Sequence, residues 1–164
     1  MFADRHIVLA SASPRRLEIL RQIGIEPELH PVEVEEDNTL TTQRDEEAVV
    51  SANAALKAQA AAAAYDDAIV IGADTIVAFE NRILGKPKNS EDAVRMVSML
   101  QGSTHQVYTG VTLIEVCADG SLREKSFYEE TNVHVCQMTK DEIASYVATG
   151  EPLDKAGAYG IQGT

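Results

Sequence analysis

Cysteine is scarce in this chain. Cys117 and Cys136 are the two cysteines among 164 residues, with no CxxC pair and no His/Cys grouping at zinc spacing. That excludes a disulfide framework and a structural zinc site, and both thiols are expected to be reduced core residues of a cytosolic protein. Long apolar runs are also lacking: no segment approaches the roughly 20 residues a membrane helix needs. Met1–His6 is short and mixed, and the apolar run after it covers only Ile7–Ala10, too little for a secretory signal. A soluble cytoplasmic protein without a membrane partner is therefore expected. Basic residues are the third shortage. Lys and Arg number 14 against 26 Asp and Glu, giving a formal net charge of −12. Gripping a nucleic-acid backbone needs a broad Lys/Arg face, so no nucleic-acid partner is expected. A Walker P-loop and a GxGxxG are absent, which argues against a P-loop NTPase or a dinucleotide enzyme. The four histidines share no spacing, and no Ser/His/Asp or Cys/His nucleophile motif is present.

What remains is ordinary globular material. With 45% hydrophobic and 24% charged residues, the chain can bury a full core as one domain, 1–164, or as one domain with two lobes. No internal repeat or disordered linker interrupts it.

Ile7–Ala10 reads as a short buried strand, Ser11–Ser13 as a small-residue turn, and Ser13-Pro14 as the start of a helix ending at Gly24. A second short strand is expected over Glu28–Val34 and an acidic loop over Glu35–Gln43. The alanine-rich stretch Asp45–Tyr65 should form a long helix packed on a sheet. Ala68–Phe79, with its polar insert Gly72–Thr75, carries the clearest strand signal, and Glu80-Asn81-Arg82 turns it into Ile83-Leu84. Ser90 is the expected cap of a helix that aligns Ala93, Met96, Val97 and Leu100. Strands over Gln106–Val116 and Phe127–Val135 flank the turn Ala118-Asp119-Gly120. Thr139 and Glu142 have capping-box spacing before a helix ending at Gly150, and Glu151–Thr164 is a glycine-rich loop.

One stretch conflicts with helix electrostatics. The helix at Ser13-Pro14 places Arg15 and Arg16 in its first turn, where the positive end of the macrodipole prefers acidic residues. Either they are solvated surface residues, or an anion belongs there. A tight serine turn at a helix N-terminus presents backbone N–H groups, and two guanidiniums would suit a multiply charged phosphate. Asp74 is a second anomaly: an acid inside an apolar strand is costly unless paired, hydrogen-bonded or metal-bound. It is either a structural aspartate or a group that holds a cation or orients water. Its Gly72 and Thr75 flanks look like a place where a ligand approaches the backbone. Glu35 and Glu36 read as a solvated face, although one carboxylate there could complete a Mg²⁺ site with substrate phosphates. Lys57, on the alanine-rich helix, and Lys86, in the Gly85–Pro87 turn, are plain surface lysines or point charges on phosphate. These residues suggest a site for a phosphorylated small molecule and a divalent metal. They do not separate a kinase, a phosphatase and a binding module.

The stretches LASASPRR (Leu9–Arg16), NAALKA (Asn53–Ala58), IGADTIV (Ile71–Val77), ILGKP (Ile83–Pro87), HQVYTGV (His105–Val111) and EPLDKAGAYGIQG (Glu151–Gly163) resemble the Maf-like nucleoside triphosphate pyrophosphatases, in order and spacing. The resemblance implies a mixed α/β fold of the Maf/Ham1 type, a long twisted sheet flanked by helices with two lobes around a cleft. It implies hydrolysis of a nucleoside triphosphate to the monophosphate and pyrophosphate, with Mg²⁺ or Mn²⁺. By position, Asp74 matches the family's proton acceptor, and Ser13, Arg15, Arg16, Lys57 and Lys86 match triphosphate contacts. Glu36 joins Asp74 at the metal. Arg15, Thr75 and Gln162 fall where subfamilies differ by base, in the combination of the dTTP/UTP branch. Action on 7-methyl-GTP, or a non-catalytic role in regulating septum formation, is the alternative. The resemblance also implies a further C-terminal strand and helix beyond Thr164, and it leaves room for a homodimer.

Overall fold

The computed structural model describes residues 4–163, so the outer ends of Met1–His6 and Glu151–Thr164 lie outside it. The element order is β1 (Ile7–Leu9), α1 (Pro14–Gln22), β2 (Glu28–Leu29), α2 (Glu46–Ala62), β3 (Ala68–Phe79), β4 (Arg82–Leu84), α3 (Ser90–Leu100), β5 (Thr104–Val116), β6 (Leu122–His134) and α4 (Lys140–Ala148). Two 3₁₀ turns follow, at Glu151–Asp154 and Ala156–Ala158. The strands form a mixed sheet in the order β2-β1-β3-β5-β6, with β4 paired to β3. β1 lies parallel to both neighbours, Val8 opposite Glu28 and Val70, while β3 and β4 form an antiparallel hairpin with Val77 opposite Leu84. Parallel neighbours require crossovers, and α1 and α2 supply them. This is the mixed α/β architecture that the sequence implies.

The chain divides into two compact units. The first holds the residues up to Thr39, Glu47–Asp74 and Thr109–Glu129; the second holds Leu40–Glu46, Thr75–Tyr108 and the described residues from Glu130 on. In the first unit Val8, Val70, Ile114 and Val116 from the strands, with Ala10 just past β1, meet Ala58, Ala61 and Ala62 of α2. The small residues let α2 lie almost on the sheet. A Cβ at Gly72 of β3 would sit 2.4 Å from the Ala54 carbonyl oxygen, and one at Gly110 of β5 would sit 2.5 Å from that of Val50. In the second unit Ala93, Met96 and Val97 of α3 pack on Ile143 and Val147 of α4. Val77, Leu84 and Leu100 form a neighbouring cluster. Among the described residues no helix is long and apolar enough to cross a membrane.

Several local expectations hold. β3 occupies Ala68–Phe79, α3 buries the predicted face, and the Thr139–Glu142 capping box is present. Others need correction. β2 stops at Leu29 rather than Val34, because Pro31 has no N–H for a ladder. Asn89, not Ser90, caps α3, its Oδ1 accepting the Asp92 N–H at 2.9 Å. Ser13 holds the N-cap position of α1 but makes no side-chain capping bond. Neither cysteine is in a disulfide, yet neither is a core residue: Cys117, just past β5, is half-buried and Cys136, just past β6, is exposed.

Candidate active site

The turn after β1 is organised by a buried serine. Ser11 Oγ accepts the Ser13 backbone N–H at 3.2 Å and Arg16 Nη1 at 3.0 Å. The same Nη1 donates to the Ala73 carbonyl oxygen at 3.2 Å, so Arg16 ties the start of α1 to β3 one residue before Asp74. Burial lowers the Arg16 pKa; Asp74 and Glu36 push it back up, and Arg15 adds a smaller lowering. An arginine nevertheless stays charged at neutral pH. The charge conflict at this helix end is therefore answered for Arg16 inside the protein, by hydrogen bonds and by two carboxylates. Arg15 is exposed on the first turn.

Asp74 is 4% exposed, and both its carboxylate oxygens are hydrogen-bonded. Oδ1 accepts Lys57 Nζ at 3.0 Å, and Oδ2 accepts Asn53 Nδ2 at 3.1 Å. Lys57 Nζ also reaches Glu36 Oε1 at 2.6 Å, so one ammonium is shared by two carboxylates. Asn53 and Lys57 stand four residues apart on α2, one turn of the same face. They reach Asp74 because Gly72, two residues earlier on β3, admits the α2 backbone to touching distance. The expectation that Gly72 marks the approach of a ligand is thus corrected: the helix itself fills that space.

Asn53 was not singled out by the sequence, although it opens the NAALKA stretch. It is completely buried. Besides Asp74 its amide donates to Asn38 Oδ1 at 2.9 Å, and its Oδ1 accepts the Asp37 N–H at 3.3 Å. It thereby fixes the acidic loop that carries Glu36. The visible signal was an asparagine one turn before the sole lysine in an alanine-rich helix.

Ser13, Arg15, Arg16, Glu36, Lys57 and Asp74 all belong to the first unit. Thr75, Lys86 and Gln162 belong to the second. There Thr75 is exposed on β3, Lys86 is exposed in the turn after β4, and Gln162 is exposed beyond the last 3₁₀ turn. What the first unit assembles is a set of two cations and two carboxylates, with Asn53 and Ser11 fixing their orientation. Cations beside a helix N-terminus can hold phosphate, and a fixed carboxylate can take a proton from water.

The family model described as "Maf-like protein" matches residues 6–164. A protein of Agathobacter rectalis named dTTP/UTP pyrophosphatase is 48% identical over 170 residues, covering 96% of this chain and 82% of that protein. One of Bacillus cereus with the same name is 48% identical over 159 residues, covering 97% of this chain and 80% of its own length. Among solved structures, a HAM1 protein from Coxiella burnetii has the same fold, with a TM-score of 0.52 at 15% identity over 96% of this chain and 88% of that one.

Proposed function

The chain belongs to the Maf-like protein family, and we propose that it is a nucleoside triphosphate pyrophosphatase acting on dTTP and UTP. The observation that carries the chemistry is the shared ammonium: Lys57 Nζ lies between Glu36 and Asp74, with the Arg16 guanidinium beside them. In the reaction, a water oxygen bonds to the α-phosphorus, the bridging oxygen leaves with pyrophosphate, and a nucleoside monophosphate remains. Asp74 takes the water proton. Asn53 and Lys57 hold its carboxylate so that no reorientation precedes that step. Arg15, Arg16, the Ser13 turn and Lys57 bind the phosphate charge, and positioning with electrostatics supplies most of the acceleration.

Glu36 and Asp74 also fit a divalent cation. Both are oxygen donors, and they already converge on one positive group. Mg²⁺ or Mn²⁺ held there would act as a Lewis acid on phosphate oxygens. Among the described residues no three His, Cys, Asp or Glu side chains gather as a ligand set, so substrate and water would have to complete the coordination. Lys86 as a phosphate contact, and Arg15, Thr75 and Gln162 as readers of the base, are proposed from the motif match alone. A net charge of −12 argues against a nucleic-acid partner.

Pyrophosphate release from dTTP, UTP and 7-methyl-GTP, each with Mg²⁺ and with Mn²⁺, tests this reading. Turnover of the two pyrimidine nucleotides ahead of 7-methyl-GTP is expected. The reverse order overturns the assigned branch, and binding without turnover makes the protein a nucleotide-binding regulator.

A further inference from the structure

His105 on β5 is completely buried, and nothing in the proposed chemistry uses it. Its Nε2 lies 2.5 Å from the Tyr159 hydroxyl, and the two rings meet edge to face at 5.2 Å and 79°. Its other ring nitrogen, Nδ1, is buried without a hydrogen-bond partner. A phenylalanine would fill this position without stranding a polar atom, so packing alone does not account for a histidine here. Tyr159 opens the short strap Tyr159–Gly163, which carries Gln162.

The strap starts from strained backbone. Gly157 and Ala158 both have left-handed φ angles, +72° and +60°. At Gly157 a Cβ would meet Val77 Cγ1 at 3.0 Å, and its N–H donates to the Gly85 carbonyl at 3.1 Å. Ala158 has a Cβ and no exposed surface, so its surroundings must hold it in that region. Beyond Tyr159 the Gly160 N–H donates to the Tyr146 hydroxyl at 3.2 Å. Two tyrosine hydroxyls thus fix the strap, one at its first residue and one at its second, and Gln162 lies exposed two residues further on.

We propose that His105 is a positioning residue for Gln162: by holding the Tyr159 hydroxyl it fixes the strap that presents the glutamine to the base of the substrate. This rests on the reading of Gln162 as a base reader. The same burial that lowers the His105 pKa raises that of Tyr159, so both stay neutral near pH 7 and the link needs no charge.

His105→Phe and Tyr159→Phe keep the rings and remove the bond. Each is expected to raise KM for dTTP about tenfold and to lower the dTTP-over-dGTP ratio of kcat/KM as Gln162→Ala does, with kcat little changed. The double variant should be no worse than either single one, because both delete the same bond. Inhibition by pyrophosphate, which has no base, should be unchanged. An unaltered nucleotide ratio, an equal loss on every substrate, or additive effects would overturn the proposal. Amide hydrogen exchange at Gly160, whose N–H is bonded to the Tyr146 hydroxyl, gives a readout independent of turnover. Faster exchange in Tyr159→Phe is expected, and unchanged exchange overturns the anchoring even if the wild type hydrolyses no pyrimidine nucleotide. Absence of turnover with slow exchange at Gly160 would instead count against the function assigned to the chain.

Discussion

The two compact units hold their polar groups by different means. Around Asp74 the first unit sets charge against charge, and every polar atom of the Asn53 and Asp74 side chains has a partner. Around Tyr159 the second unit uses neutral hydroxyl and imidazole contacts and leaves His105 Nδ1 and Glu151 Oε1 without partners. A group that must take a proton in a fixed direction needs the first kind of support, since a charged, fully bonded carboxylate cannot swing. A strap that only presents a side chain can be held by a few neutral bonds and its own stiffness.

Breaking the charge set should have the largest effect on stability. Lys57→Met leaves a buried Asp74 and a nearby Glu36 without their shared ammonium, which should cost about 3 kcal/mol in chemical denaturation and nearly all activity. Unchanged stability would mean that the pair is solvated rather than part of the core.

Glycine substitutions sharpen the contrast. Gly72→Ala drives a methyl group into the α2 backbone, 2.4 Å from the Ala54 carbonyl oxygen and 2.6 Å from the Ala58 nitrogen. Backbone cannot step aside, so a loss of about 2 kcal/mol is expected, with a fall in kcat as Lys57 and Asn53 move from Asp74. Gly163→Ala meets only the carboxylate end of Glu151. That side chain can rotate away, so a change below about 0.5 kcal/mol is expected in the same experiment.

The smallest effect concerns pH. Burial lowers the folded pKa of His105 from its ordinary 6.5, so the unfolded chain binds a proton that the folded one resists. Stability contributed by the neutral ring is present above pH 6.5 and falls as pH drops below it toward the folded value. Tyr159 is the titratable group in contact, and it keeps its proton throughout this range. Thermal melts between pH 7.5 and 5.5 should therefore decline less steeply for His105→Phe than for the wild type. Parallel curves would show that the ring is solvated.

The same contrast governs how far the site could be read from sequence. Local signals were enough for β3 and for the faces of α3 and α4, and Arg16 and Asp74 stand out because each breaks a local rule; Lys57 reads as a surface lysine and is instead paired with Glu36 and Asp74. Partners brought in by the fold were not legible. Arg16 is satisfied by the Ala73 carbonyl, 57 residues away, so its first turn read as a charge left for a ligand. Asn53 breaks no rule on a helix and shows its importance only when Asp74 and Asn38 arrive on either side. Gly72 was read as room for a ligand because the sequence does not say which backbone fills the gap. Thr75, Lys86 and Gln162 are exposed, and Gln162 stands out through motif likeness alone, which conveys its position without its partners.

The central claim is that Asp74, held by Lys57 and Asn53, is the proton acceptor of a pyrophosphatase. The direct measurement is separation of the products formed from dTTP with Mg²⁺ by the wild type and by Asp74→Asn, with circular dichroism confirming the fold of both. The wild type should give dTMP and pyrophosphate in equal amounts, and the variant about 10²–10⁴-fold less of each. Formation of dTDP and phosphate, or an active Asp74→Asn protein, would contradict the account.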